Sequence, residues 1–494
     1  NGLTAAIALA EAGRDVTVLE ASGRAGGAVA TEELTLPGFR HDRFSAVYPA
    51  AVASPVFARM PLDRHGLRWI HPRRCYAHPL PDGRAGALSV DMEETTATLD
   101  ALHPGDGDAW RAFATPYVKH FGAWRDTMLH GFPPVRGPAR MLAAHGLGGT
   151  LDFAKLLLTP AQALAGRLFS ANGSRAWLYG SAMHGDAPPM SAGSAIAATH
   201  LNVLGHAVGW PSPEGGAGRL AEALVSHLES LGGTVRTGAR VERIAVERGR
   251  AVGVELAGGE RVAGPLIVAD VTPAALLRLC GDALGGRYAA GLRAWRVGPA
   301  TLKLDWALDG PIPWTAPEAR EAGTVHVGGA EGAVIEALSP VGDELHPRPF
   351  MLLGQQSVAD PTRAPAGKHT AWAYTHGPQD ADWAGETDRQ VERMEAQVER
   401  FAPGFRDLIL ARHVQGPADL ERANPNLEGG DVGAGSYALD QVVFRPVAKL
   451  DPYRTPVRGL YLGSASTFPG GAVHGACGDA AARRALADAR VRRY

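Results

Sequence analysis

The sequence predicts an α/β protein, and three observations carry that reading. Residues 2–11 place apolar side chains at helical spacing, and a stop at Gly13 leads into Asp15-Val16-Thr17-Val18-Leu19-Glu20, a short β-branched run. Glycine-rich loops at 23–27, 215–218 and 470–475 punctuate the chain, the last two ahead of helix-like runs. Short apolar segments of strand length recur at 234–237, 241–244, 251–256, 265–270 and 459–464.

Composition bounds the function. The chain has 494 residues, 45% hydrophobic and 20% charged, which excludes a disordered or low-complexity protein and suggests two or three domains. Net charge is −2, so no basic face is expected for nucleic acid. Only Lys119, Lys155, Lys303, Lys368 and Lys449 are lysine among 49 basic residues, a pattern that points to GC-rich bacterial coding. Cys75, Cys280 and Cys477 form no C-x-x-C pair, so neither dithiol chemistry nor a metal site is expected, and a reducing, cytoplasmic setting is. No run of 18 apolar residues suggests a membrane span. Asn1 falls inside a motif, and an upstream piece is expected.

The elements then follow in order. Helix, tight turn and strand ending in an acid is the pattern of a Rossmann dinucleotide unit, in which a glycine opens the helix and the acid grips a ribose hydroxyl. Gly2 fits that glycine, and Glu20 follows it by 18 residues. Ser22-Gly23-Arg24-Ala25-Gly26-Gly27-Ala28 comes next; its Gly-Gly pair lets backbone approach a diphosphate.

Glu20 with Gly26-Gly27-Ala28-Val29-Ala30-Thr31-Glu32-Glu33 and Pro37-Gly38-Phe39 resembles the start of the phytoene desaturase / flavin amine oxidase superfamily. It is most similar to the branch named for a pyridine nucleotide-disulfide oxidoreductase domain. Two departures stand out: Ala28 replaces the arginine common in carotenoid desaturases, and Asp42-Arg43-Phe44-Ser45-Ala46 replaces a D-x-G-x-S element. The later segments agree with the resemblance: Pro213 to Leu220 with its helix, Pro265 to Asp270, Asn424-Pro425-Asn426, Asp440-Gln441-Val442, Arg445-Pro446, and Gly459 to Gly475 with the helix after it.

The resemblance implies a Rossmann-like FAD-binding domain of the glutathione-reductase type in three segments, 1–48, 205–285 and 415–494. An α+β substrate domain is then built from 49–204 and 286–414. It implies that FAD meets Gly2, Glu20, Ala21, Arg24, Gly26, Gly27, Ala28 and Val241, the last through its backbone at the adenine. Gly463, Ser464, Gly470, Gly471, Ala472 and Val473 complete the set. There the last helix points its positive end at the flavin N1–C2=O edge, which favours the anion formed on hydride uptake.

Leu302, Leu304, Trp306 and Leu308 alternate with Thr301, Lys303, Asp305 and Ala307, predicting a half-buried strand whose polar face meets either water or a flavin cavity. Flavin amine oxidases carry a lysine on a similar strand, bonded through water to flavin N5, which makes Lys303 the leading catalytic candidate. His474, in the flavin loop, is the second, as a proton carrier or as a packing residue. His184-Gly185-Asp186 is a weaker candidate. The apolar stretch Leu151 to Ala171 is either a core-facing helix or a membrane-docking one, and the arginines 483, 484, 490, 492 and 493 are either solvated or lipid-facing.

The expected function is FAD-dependent hydride transfer with a hydrophobic, isoprenoid- or polyene-like small molecule. The alternatives are a flavin amine oxidase and a non-catalytic protein resembling GDP-dissociation inhibitors. Expected partners are the apolar substrate and, through the apolar stretch, a membrane surface, with no nucleic acid. Oligomeric state has no sequence signal.

Overall fold

The computed structural model describes residues 1–339 and 342–492, the side chains of 491 and 492 excepted. Arg493 of the basic tail lies outside them. The fold is mixed α/β. In chain order the elements that position the site begin with α1 (Gly2–Glu11), β1 (Thr17–Leu19), β2 (Arg74–Pro79), β3 (Ala85–Leu88), α2 (Arg136–Leu156), α3 (Ala161–Leu168) and α4 (Asn172–Met183). Next come α5 (Ser194–Val208), α6 (Gly218–Ser230), β4 (Thr234–Arg236), β5 (Val241–Glu247), β6 (Arg250–Leu256), β7 (Arg261–Ala263) and β8 (Ile267–Ala269). The remainder are β9 (Ala300–Leu308), β10 (Ala322–Val327), β11 (Met351–Gly354), β12 (His369–Gly377), α7 (Trp383–Phe401), β13 (Ile409–Gln415), β14 (Leu460–Leu462) and α8 (Ala476–Arg492).

Two parallel strand pairs join distant parts of the chain. β1 pairs with β4, Thr17 opposite Thr234, and β8 pairs with β14, Ile267 opposite Leu460. Helix α1 bridges them: Ala5, Ala8 and Leu9, in one cluster with Ala482 of α8, pack against Val16 ahead of β1 and Val268 of β8. β5, β6 and β7 form an antiparallel sheet whose apolar side packs with Leu276 and Leu462.

The second body is a seven-stranded sheet in the order β13-β9-β12-β11-β10-β2-β3, antiparallel except where β10 meets β2. One face is apolar: Leu302, Leu304, Trp306, Val325, Leu353 and Ala373 pack against Met394, Val398 and Phe401 of α7. The other face carries Lys303, Asp305, Tyr374 and His326 in register, because Lys303 lies opposite Tyr374, Tyr374 opposite Leu352, and Leu352 opposite His326.

This corrects the expectation of a strand half open to water. All nine residues of β9 are buried, since it is an inner strand covered on both sides. The alternation is real, but it separates two buried faces of different chemistry. The apolar stretch 151–171 also differs from a single helix. Pro160 divides α2 from α3, leaving Phe153, Leu156, Leu164 and Phe169 buried, and Leu151, Leu157 and Leu158 exposed. The stretch therefore faces the core on some residues and is open on others.

Candidate active site

A buried sheet face is normally apolar, because an ionisable group there loses its hydration. The inner face of the seven-stranded sheet breaks this rule along a row. Lys303 Nζ lies 2.5 and 2.6 Å from the two carboxylate oxygens of Asp305, two residues along the same strand. His41 Nδ1 stands 3.7 Å from Asp305, and His41 Nε2 meets Thr35 Oγ1 at 2.7 Å. Burial pushes the Asp305 carboxyl up to about 6 against the pull of Lys303, and burial together with Lys303 holds His41 down at about 3, so this histidine is neutral. Nearby, His413 Nε2 and Gln415 Oε1 are buried without hydrogen-bond partners among the described residues.

Further along the row, His376 Nε2 lies 2.7 Å from Asp186 Oδ1, and its Nδ1 is 3.1 Å from Thr301 Oγ1. Burial opposes a charge on His376, yet Asp186 and Asp431 outweigh it and raise its pKa above the ordinary value. Asp186 adopts φ +49, a left-handed conformation rare outside glycine, which marks backbone held by its surroundings. His184 Nε2 and His326 Nε2 are 2.9 Å apart, one ring donating to the other, and burial holds both well below the ordinary value. Beside His376 and Tyr374 lies a small cavity of about 20 Å³, with Met183, Leu338, Phe350 and Leu352 on its wall together with His346 and Thr375.

The residues expected to meet FAD fall in two groups. Around α1 and β1, Gly2, Glu20, Arg24, Gly26 and Ala28 are half-exposed and Ala21 and Gly27 exposed. The Gly2 N–H donates to Asp270 Oδ2 at 2.7 Å, so the positive end of α1 already faces an anion. Glu20 Oε1 accepts from the Ser22 N–H, and the Glu20 carbonyl accepts from Ala239, two residues before Val241. Arg24 Nη1 donates to the Gly27 carbonyl at 3.3 Å. Gly26 has φ +115, and a β-carbon there would lie 2.6 Å from Ala221 Cβ; Gly27, at φ +57, faces open space with only Asn424 Nδ2 at 3.9 Å.

The second group lies between β14 and α8. Gly463 packs against Val268 and Ala481, leaving no room for a side chain, and Ser464 Oγ meets Ser466 Oγ at 2.6 Å. The Gly471 N–H donates to Tyr437 Oη at 2.9 Å, and Ala472 has φ +80 beside a half-buried Val473. His474 Nδ1 accepts from the Ala476 N–H at 3.0 Å, and its Nε2 stands 3.2 Å from the Gly471 carbonyl. Both nitrogens serve the loop, and burial lowers the pKa to about 4.

The two groups and the sheet face converge. Asp186 lies against Gly433, and a β-carbon on Gly471 would lie 2.5 Å from the Gly433 carbonyl, so one residue separates the His376–Asp186 pair from the Gly470–Gly471 turn. Asp42, of the departed D-x-G-x-S element, accepts from Thr31 Oγ1, from the Ala217 N–H and from Arg363, each at 2.8 to 2.9 Å, tying three chain segments together. At Gly26, Gly463 and Gly471 a β-carbon would collide with backbone or packed side chains, so the packing of the chain itself requires glycine there, while Gly27 leaves backbone open to a ligand. Sequence reasoning missed His376, Asp305 as the partner of Lys303, His41 and His326. The alternation Trp372, Tyr374, His376 in β12 was the available signal for the first.

A family model described as flavin containing amine oxidoreductase matches residues 2–486. Pyridine nucleotide-disulfide oxidoreductase domain-containing protein 2 of Rattus norvegicus is 28% identical over 540 residues, covering 99% of this chain and 92% of its own. A limonene dehydrogenase component of Castellaniella defragrans is 26% identical, covering 96% and 90%. A neurosporene-forming phytoene desaturase of Cereibacter sphaeroides is 27% identical over 289 residues, 55% of this chain and 53% of that one. Among solved structures, an oxidoreductase from Methanosarcina mazei aligns with TM-score 0.65 at 15% identity over 98% of this chain and 97% of its own. A putrescine oxidase variant aligns with TM-score 0.59 at 16% identity over 99% and 96%. The chain belongs to the flavin-containing amine oxidoreductase family and is a FAD-dependent oxidoreductase.

Proposed function

We propose that this oxidoreductase transfers hydride between FAD and an apolar, isoprenoid- or polyene-like hydrocarbon. What supports the substrate class is the likeness to a limonene dehydrogenase component and to a phytoene desaturase. The gap beside His376, about 20 Å³, has room for about one water, so a hydrocarbon reaches His376 only if the site widens around it.

FAD lies, in this reading, in a Rossmann-like domain made of 1–48, 205–285 and 415–494, with 49–204 and 286–414 supplying the substrate side. Gly2, Glu20, Arg24, Gly26 and Gly27 hold its ribose and diphosphate, Val241 borders its adenine, and Gly463, Ser464 and Gly470 to Val473 border its ring. Bound there, FAD supplies the hydride acceptor. His376 takes the proton released from the carbon adjacent to the oxidised one at Nδ1, the nitrogen that faces the Thr301 hydroxyl, while Nε2 stays against Asp186. Asp186 orients the imidazole and stabilises its charged form. Lys303 and Asp305 neutralise one another on the same buried face, and the apolar walls keep water from the reacting carbons. The hydrocarbon arrives from a membrane surface across the exposed leucines of α2 and the loop after it.

Anaerobic mixing of the FAD-loaded protein with a panel of apolar alkenes and a panel of amines tests this. Bleaching of the flavin by alkenes alone is expected. Bleaching by amines alone assigns the protein to amine oxidation and overturns the reading.

A further inference from the structure

The Gly470–Gly471 turn has a neighbour with no role so far. Arg445 is 0% exposed, its guanidinium carbon 5.1 Å from the ring centroids of both Trp295 and Tyr437. Nη2 donates to the Ala434 carbonyl. Nε and Nη1 have no hydrogen-bond partner, and no ion pair holds the group, among the described residues. The acids of this corner are engaged elsewhere. Asp431 accepts from the N–H groups of Gly298, Gly433 and Gly435, and Asp186 faces His376. Nη1 borders the turn itself: a β-carbon on Gly470 would lie 2.9 Å from it. A buried guanidinium without a counter-charge is strongly unfavourable, and two aromatic faces offset only part of that. The unpartnered Nη1 N–H at the turn therefore points to an electron-rich partner there.

We propose that Arg445 is the counter-charge for the pyrimidine edge of the flavin, where negative charge settles on reduction. This rests on the flavin placement given above. A fixed positive charge at that edge favours the reduced form and raises the midpoint potential. Trp295 and Tyr437 clamp the guanidinium plane, so the group needs no rearrangement as the charge develops. A substrate carboxylate presents the same oxygen chemistry, and the test separates the two sources.

The probe is inorganic sulfite, which adds its sulfur lone pair to flavin N5 and leaves the negative charge on the N1–C2=O edge. With FAD-loaded protein, Arg445→Met should weaken sulfite binding at least tenfold and shift the midpoint potential negative. Arg445→Lys should keep most of the wild-type affinity. If the methionine variant does not fold, Arg445→Gln takes its place, and the same tenfold loss is required. Equal affinity in the wild type and the neutral variant overturns the proposal. So does an equal loss in the lysine and neutral variants, which marks a packing role. Unchanged sulfite affinity with weakened binding of a medium-chain carboxylate also overturns it, in favour of a substrate contact. Wild-type protein that takes up no FAD defeats the flavin reading itself, and that is measured before sulfite is added.

Discussion

A proton acceptor has to be empty to work. Asp186 keeps the His376 pKa above the ordinary 6.5 despite burial, so the rate of flavin reduction by substrate should rise with pH through a midpoint above that value. Asp186→Asn should move the midpoint down, and His376→Gln should remove it and slow reduction by about 10²-fold or more. A stopped-flow pH profile unmoved by either change refutes the assignment. Lys303 carries a different expectation. Its removal strands the Asp305 carboxylate on a dry face, so Lys303→Met should cost about 3–5 kcal/mol in denaturant unfolding, and a second change, Asp305→Leu, should recover most of it. A Lys303→Met protein as stable as wild type contradicts the buried pair. The lysine was legible from alternation in β9, but its partner was not, because two residues apart in a sequence reveals contact only once the strand is known to be covered.

Elements place these residues. The proposed FAD-binding loop after β1 depends on backbone that carries no side chain: Gly26→Ala puts a β-carbon 2.6 Å from Ala221 at φ +115, and it should abolish FAD retention while leaving the seven-stranded sheet folded. Flavin absorbance after gel filtration, beside circular dichroism, separates the two effects. Helix α2 and the turn after it expose Leu142, Leu147, Leu151, Leu157 and Leu158, and Leu439 lies near the Leu157 backbone at Gly193. Among the described residues no helix is long and apolar enough to cross a membrane. On the arrival from a membrane surface proposed above, this face is the one that would meet lipid. Paired changes Leu147→Glu and Leu158→Glu should lower sedimentation with phosphatidylglycerol vesicles several-fold without changing the unfolding midpoint. Equal sedimentation rules the contact out. The helices and strands around the glycine loops were legible in order, since caps, periods and glycines are local signals. The break at Pro160 was visible as a residue, but its sorting of leucines into buried and exposed was not.

Across the whole molecule, buried imidazoles set the response to acid. Burial holds His41, His78, His184, His200, His206 and His474 at about 3 to 4. Each stays neutral in the fold and takes up a proton near 6.5 when unfolded, so the unfolded chain binds more protons and stability falls as pH drops from 6.5 towards 4. Each such histidine contributes a loss approaching about 1.4 kcal/mol per pH unit. Asp305, held up at about 6, acts in the opposite sense between about 4 and 6, and one group does not balance six. Calorimetric Tm should therefore drop steadily over that range; a flat Tm contradicts the buried neutral set. The α/β class and the order of the glycine loops came from sequence alone. The seven-stranded sheet with a charged inner face did not, because its strands are gathered from residues 74 to 415 and pair across long separations. One measurement bears most directly on the convergence of these pieces around a single coenzyme: titration of the full-length, coenzyme-free polypeptide with FAD in a calorimeter. Saturable uptake at one FAD per chain, lost in Gly26→Ala, is expected. No heat and no retained yellow colour with FAD in excess contradicts it.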